Sequence, residues 1–176
     1  MSRVTAPPSP YSGSAAATAG TVSSAAPRPL PGAALPTQLA VGGKSVAIAP
    51  IGAHDHQLDL PDAPDVVGWW SSGALPAQQA GSVLIAGHLD SARWGIGALS
   101  LLTTLQIGSV ITIKDSEGHI WPYRMVARRD YPKNALPADV FSTSGSPRLV
   151  LLTCGGRFDR ATQQYDQNLV VYASPV

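Results

Sequence analysis

At 176 residues the chain has room for one domain, with or without a tail. Its net charge of +1 gives no electrostatic case for a nucleic-acid partner or an anionic membrane surface. A single cysteine excludes an intrachain disulfide and any Cys-rich metal cluster, while a hydrophobic fraction of 44% suffices for a core.

Ala, Pro, Ser, Thr and Gly dominate the first forty residues, and no acidic residue precedes Asp55. Such material cannot bury enough apolar surface to offset its ordering entropy. Residues 1–40 therefore read as a disordered, Pro/Ala/Ser-rich linker with polyproline-like runs at 6–10 and 27–31, and residues 41–176 as the folded domain. No apolar run approaches the length of about eighteen residues expected of a membrane-spanning helix.

Residues 45–51 (Ser-Val-Ala-Ile-Ala-Pro-Ile) predict a strand, with Pro50 placing it at a sheet edge or end. His54, Asp55 and His56 have metal-ligand chemistry, but no further ligands of suitable spacing lie nearby, so a solvated loop without metal is expected. Trp69 and Trp70, next to Gly68, are expected in the core and at a cleft wall. Ala98, Leu101, Leu102 and Leu105 follow a helical spacing that Gly108 ends. Residues 110–114 and 120–128 predict a hairpin turning at Asp115-Ser116-Glu117-Gly118, with His119 exposed and unemployed beside it. Residues 129–147 form a connection long enough to suggest a functional loop.

Two segments stand out. Leu149 to Leu152 form an apolar run that ends in Thr153, Cys154, Gly155 and Gly156. A run this short, stopped by two glycines, predicts a buried central strand delivering Cys154 at its end. Residues 82–90 repeat the design: Ser-Val-Leu-Ile-Ala, then Gly87, His88, Leu89 and Asp90. A nucleophilic cysteine needs a partner that generates thiolate, usually His. Cys154 and His88 are the candidate pair, with Asp90 able to orient the ring or simply to cap a turn. Taken alone, Cys154 has a plainer reading as a small packed hydrophobe.

Leu-Leu-Thr-Cys at one strand end and Ala-Gly-His at another resemble the sortases, cysteine transpeptidases of Gram-positive cell surfaces. Cys154-Gly-Gly-x-Phe-Asp159, Tyr165-x-x-Asn168 to Ala173, and Val66-Val67-Gly68-Trp69-Trp70 look like the class F branch of actinobacteria. The resemblance covers residues 45–173. It implies a mostly-β fold, an eight-stranded barrel with short helices, in which the Cys and His strands lie together. It also implies cleavage of a Leu-Pro-x-Thr-Gly-like sorting signal between Thr and Gly. The acyl group would pass through a Cys154 thioester to an amine such as a peptidoglycan precursor, with His88 as general acid and base and no cofactor or metal. By the same resemblance the 129–147 loop walls the substrate groove. Leu136, Val140 and Phe141 would line it together with Thr153, although the three loop residues could equally pin the loop to the core. The enzyme would work outside the cytoplasm, held to the membrane by an anchor preceding the linker, with Met1 an added start.

The sequence departs from the family pattern at one place. Most sortases carry an Arg at the start of the last strand, and the resemblance puts Asn168 there, with Asp166 on the same face. Asn168 can donate only an uncharged hydrogen bond. Arg157 and Arg160, in the segment between Cys154 and that strand, are the candidate substitutes, Arg160 foremost. Two other functions compete: a cysteine hydrolase, and a non-catalytic β-rich surface module. An L,D-transpeptidase is disfavoured, because that family keeps its His and Cys within one short motif.

Overall fold

Eight strands form the framework of the residues described by the computed structural model, which are 33–54, 57–91 and 95–176. They are β1 (Pro36–Val41), β2 (Lys44–Ile51), β3 (Val66–Trp70), β4 (Ser82–Ala86), β5 (Val110–Asp115), β6 (Ile120–Pro132), β7 (Arg148–Asp159) and β8 (Gln164–Pro175). They close into one barrel in the order β1-β2-β3-β4-β7-β8-β6-β5. The β2/β3 and β4/β7 pairs are parallel and the others antiparallel. Closure leaves no edge strand in the barrel. Among the described residues helix is limited to two 3-10 turns, Ser100–Thr103 and Ala138–Phe141. The mostly-β, eight-stranded barrel expected from the sequence is the fold found.

Alternation along the strands produces two apolar layers. Leu39, Val67, Trp69, Val83, Ile85, Ile111, Leu149, Leu151, Leu169 and Val171 fill the barrel. Leu84, Ala86, Val150, Leu152, Cys154 and Val170 point the other way, where Ile51, Leu58, Leu136 and Val140 cover them. β4 and the first half of β7 are therefore buried on both faces. This is why both appear in the sequence as unbroken apolar runs rather than alternating ones. The cover over them is the 133–147 loop. Ser82 N–H donates to Ser142 O at 2.7 Å, Gly81 N–H to Gly145 O at 3.1 Å, and the Arg148 guanidinium bonds both Ser82 Oγ and Asp139.

Several expectations need correction. Residues 36–40 are not linker, because they form most of β1, which closes the barrel by pairing with β5. The linker reading of residues 1–32, and that of Asp55 and His56, lie outside the described residues. The 98–105 helix shrinks to a 3-10 turn in which Leu99 and Leu102, rather than Leu101 and Leu105, are fully buried. Gly155 and Gly156 do not end the strand. They sit in a bulge, and β7 runs on to Asp159. Gly156 has φ +78°, and a Cβ there would collide with the Asp166 carboxylate, so the bulge requires glycine. His119 is largely exposed but employed: its Nδ1 lies 3.3 Å from the buried Asp115 carboxylate. Trp69 is in the core as expected, and Trp70 packs edge-on against Phe141 at 5.3 Å.

Candidate active site

The parallel pairing of β4 with β7 sets the site. Leu84 is level with Val150, and Ala86 with Leu152. Cys154 lies two residues further on, on the same outer face of β7, and His88 two residues after Ala86, just past the end of β4. Backbone and side chain both hold this register past the last ladder pair: Gly87 N–H donates to Leu152 O at 3.1 Å, and the Thr153 hydroxyl donates to Gly87 O at 2.9 Å. Gly97 fixes the other side of the His88 backbone. It lies so close to the His88 carbonyl that no Cβ could be accommodated there.

His88 is half-buried, and its Nε2 lies 2.9 Å from Pro61 O. A carbonyl can only accept, so Nε2 carries the proton and Nδ1 of the neutral ring holds a lone pair. Nδ1 is buried and has no hydrogen-bond partner among the described residues. A base with an uncommitted lone pair is able to take a thiol's proton and later return it. Asp90 does not orient His88 by a direct bond. It accepts from the Tyr165 hydroxyl at 2.5 Å, linking the segment after β4 to the start of β8. That bond, with burial adding to it, pushes the Tyr165 hydroxyl up to about 12.

Cys154 is fully buried, and its register partner on β8 is Asn168. Asn168 is also fully buried, and neither its Nδ2 nor its Oδ1 finds a hydrogen-bond partner among the described residues. A buried amide left unpaired costs about 1–3 kcal/mol. Arg160 is not brought to the site. Because β7 continues to Asp159, the segment carrying Arg160 is extended hairpin and turn rather than a loop folding back. Six residues of chain separate it from Cys154, a span of up to about 20 Å. Arg157 is exposed, and its N–H donates to Asp166 Oδ1 at 2.7 Å. Thr153, expected among the substrate contacts, faces the opposite side of β7 from Cys154 and commits its hydroxyl to Gly87. Leu136 and Val140 are buried in the layer that contains Cys154, and Phe141 packs beside them on Trp70, so all three pin the loop in this conformation.

Lys133, which carries no local signal in the sequence, places its Nζ 3.2 Å from Cys154 Sγ. It stands just past β6, two strands away from Cys154, and only the register of β6, β8 and β7 brings the two together. Among the described residues no three His, Cys, Asp or Glu side chains converge as metal ligands.

A family model of the sortase domain matches residues 42–176. The chain belongs to the sortase family. Sortases are cell-wall sorting transpeptidases that work at the cell surface on sorting-signal substrates and amine acceptors. The fold is similar to that of Streptococcus agalactiae sortase C1 in complex with MTSET, with a TM-score of 0.62 and 14% identity over 81% of this chain and 69% of that one. It is similar to Pilus Island 1 sortase C2 of group B Streptococcus, with a TM-score of 0.61 and 15% identity over 79% and 72%. Sortase E1 from Streptomyces coelicolor, with a tripeptide in its active site, gives 0.61 and 18% identity over 80% and 87%. At these identities the likeness shows the shared fold. No curated protein sequence matches this sortase. Among the described residues no helix is long and apolar enough to cross a membrane.

Proposed function

We propose that this sortase cleaves a Leu-Pro-x-Thr-Gly-like signal between Thr and Gly and transfers the acyl group to an amine, as a class F-like enzyme of the actinobacterial type. What supports the reading is the parallel pairing of β4 with β7 as far as Ala86 and Leu152, two residues before His88 and Cys154 in each segment. Cys154 Sγ attacks the Thr carbonyl while His88 Nδ1 takes its proton. The tetrahedral intermediate collapses to a thioester as His88 protonates the departing amine. The incoming amine, deprotonated by the same nitrogen, reverses the sequence.

Pro61 O keeps the working nitrogen of His88 turned inward by holding Nε2–H. Asn168, level with Cys154 and unpaired, is proposed to donate its amide N–H to the oxyanion when substrate arrives. Leu136, Val140 and Phe141 wall the groove only if the 133–147 loop shifts when peptide binds, because they are packed inward without it. The acceptor is proposed to be a peptidoglycan precursor amine, and the working place the outer side of a membrane. Ligation of a signal peptide to an amine, dependent on Cys154 and on His88, tests the reading. Hydrolysed peptide without ligated product would move it to a cysteine hydrolase.

A further inference from the structure

Acyl transfer through a cysteine develops negative charge in two places: on Sγ as the thiol loses its proton, and on the carbonyl oxygen of each tetrahedral intermediate. Asn168 offers only a neutral dipole, and Arg160 is too far away. Lys133 supplies a cation in contact with Sγ, its Nζ donating at 3.2 Å.

The contact is built by the fold. β6 pairs with β8 so that Tyr131 is level with Asn168 and Pro132 with Gln167, and the Lys133 N–H extends that ladder by donating to Asp166 O at 3.2 Å. Tyr131 lies in the outer layer with Cys154. Lys133, two residues on, projects from the same face. β7 is two strands away, about 10 Å, a span that a long side chain and the partner's own Cβ–Sγ can cover together. On its other side Lys133 opens the 133–147 loop, which Leu136 and Val140 fasten down three and seven residues later. Both ends of the segment carrying the ammonium are thus fixed.

We propose that Lys133 is a catalytic residue of this site, its ammonium stabilising first the Cys154 thiolate and then the oxyanion. The second half rests on the transpeptidase reading, while the first half does not depend on any peptide. The atoms balance without another reactant. The thiol proton goes to His88 Nδ1, the S–C bond forms, and the carbonyl π pair moves onto oxygen. That oxygen is attached to the carbon bonded to Sγ, so an ammonium touching Sγ is within reach of it. The C–N bond then breaks, taking the proton from His88, and Lys133 keeps its own protons throughout.

The test compares alkylation of Cys154 by iodoacetate, which is anionic, and by iodoacetamide, which is neutral, at one pH and low salt. The rate ratio reports charge at Sγ and is insensitive to general loosening of the fold. Lys133→Met lowers the iodoacetate/iodoacetamide ratio about fivefold, and Lys133→Arg preserves it. An unchanged ratio in Lys133→Met overturns the proposal. Because Cys154 is buried, unfolding of Lys133→Met, Cys154→Ala and the double variant is measured alongside. Non-additive effects support the contact and additive ones overturn it.

If wild type ligates peptide, Lys133→Met lowers kcat about a hundredfold with KM little changed, and Lys133→Arg recovers part of it. Full kcat in Lys133→Met removes the oxyanion role. Failure of wild type to process peptide would count against the transpeptidase reading, leaving the alkylation ratio to decide the charge at Sγ.

Discussion

At the scale of single residues, Asn168 is the side chain whose placement makes least sense for stability alone. An apolar residue of similar volume would remove two unpaired polar atoms from a buried layer. We expect Asn168→Leu to raise the unfolding free energy by about 1 kcal/mol in denaturant titration and to lower ligation turnover. A variant as active as wild type would show that Asn168 contributes nothing to the oxyanion. Cys154 and His88 stand out in the sequence because each follows an apolar run that burial on two faces makes conspicuous. Lys133 does not, since a lysine after Pro132 in a long connection carries no local signal. Its significance depends on which strands separate it from Cys154. Arg160 was misplaced for a related reason: two adjacent glycines read as a strand end, whereas in the structure they form a bulge within a continuing strand.

At the scale of elements, the proposed Cys154–His88 mechanism depends on keeping β4 and β7 in step beyond their last ladder pair. The Thr153 hydroxyl does this by bonding Gly87 O in a fully buried setting. Thr153→Val keeps the side-chain shape and leaves the Gly87 carbonyl without that donor. The expected cost is about 1–3 kcal/mol in urea unfolding, with a fall in turnover because His88 follows Gly87 directly. Stability equal to wild type would show that the register is held elsewhere. The hairpin of β5 and β6 was readable from its turn sequence. The reason the turn persists was less so: buried Asp115 accepts from the amides of Glu117 and His119 and from Trp121 Nε1. Burial alone would raise the Asp115 carboxyl, but these bonds hold it below its usual range. The short helix expected at 98–105 failed because the barrel wall buries Leu99 and Leu102, a spacing of three that suits a 3-10 turn.

At the scale of the whole molecule, closure of the barrel makes tyrosine ionisation a global matter. Burial pushes the Tyr123 hydroxyl up to about 12, and the Asp90 bond does the same for Tyr165, both from a usual value of 10.0. Tyr172 shifts upward as well, through burial and its bond with Tyr131. Between pH 10 and 12 the folded chain keeps protons that the unfolded chain has lost, so stability is full below pH 10 and falls as pH rises through that window. Urea midpoints measured across it should decline, and less steeply in a Tyr123→Phe/Tyr165→Phe variant. A flat profile in wild type would contradict the assignment. The barrel itself was anticipated from residue patterns together with family resemblance. The seam that closes it was not, because β1 begins at Pro36 inside a stretch whose composition looks like linker.

The most direct test of the central claim mixes a Leu-Pro-x-Thr-Gly peptide and an amine acceptor with wild type, Cys154→Ala and His88→Ala, and follows products by mass spectrometry. Wild type is expected to give a ligated product, together with an enzyme adduct of the mass of the acyl fragment that hydroxylamine removes. Both should be absent in Cys154→Ala and reduced at least a hundredfold in His88→Ala. Undiminished ligation by Cys154→Ala would contradict the central claim.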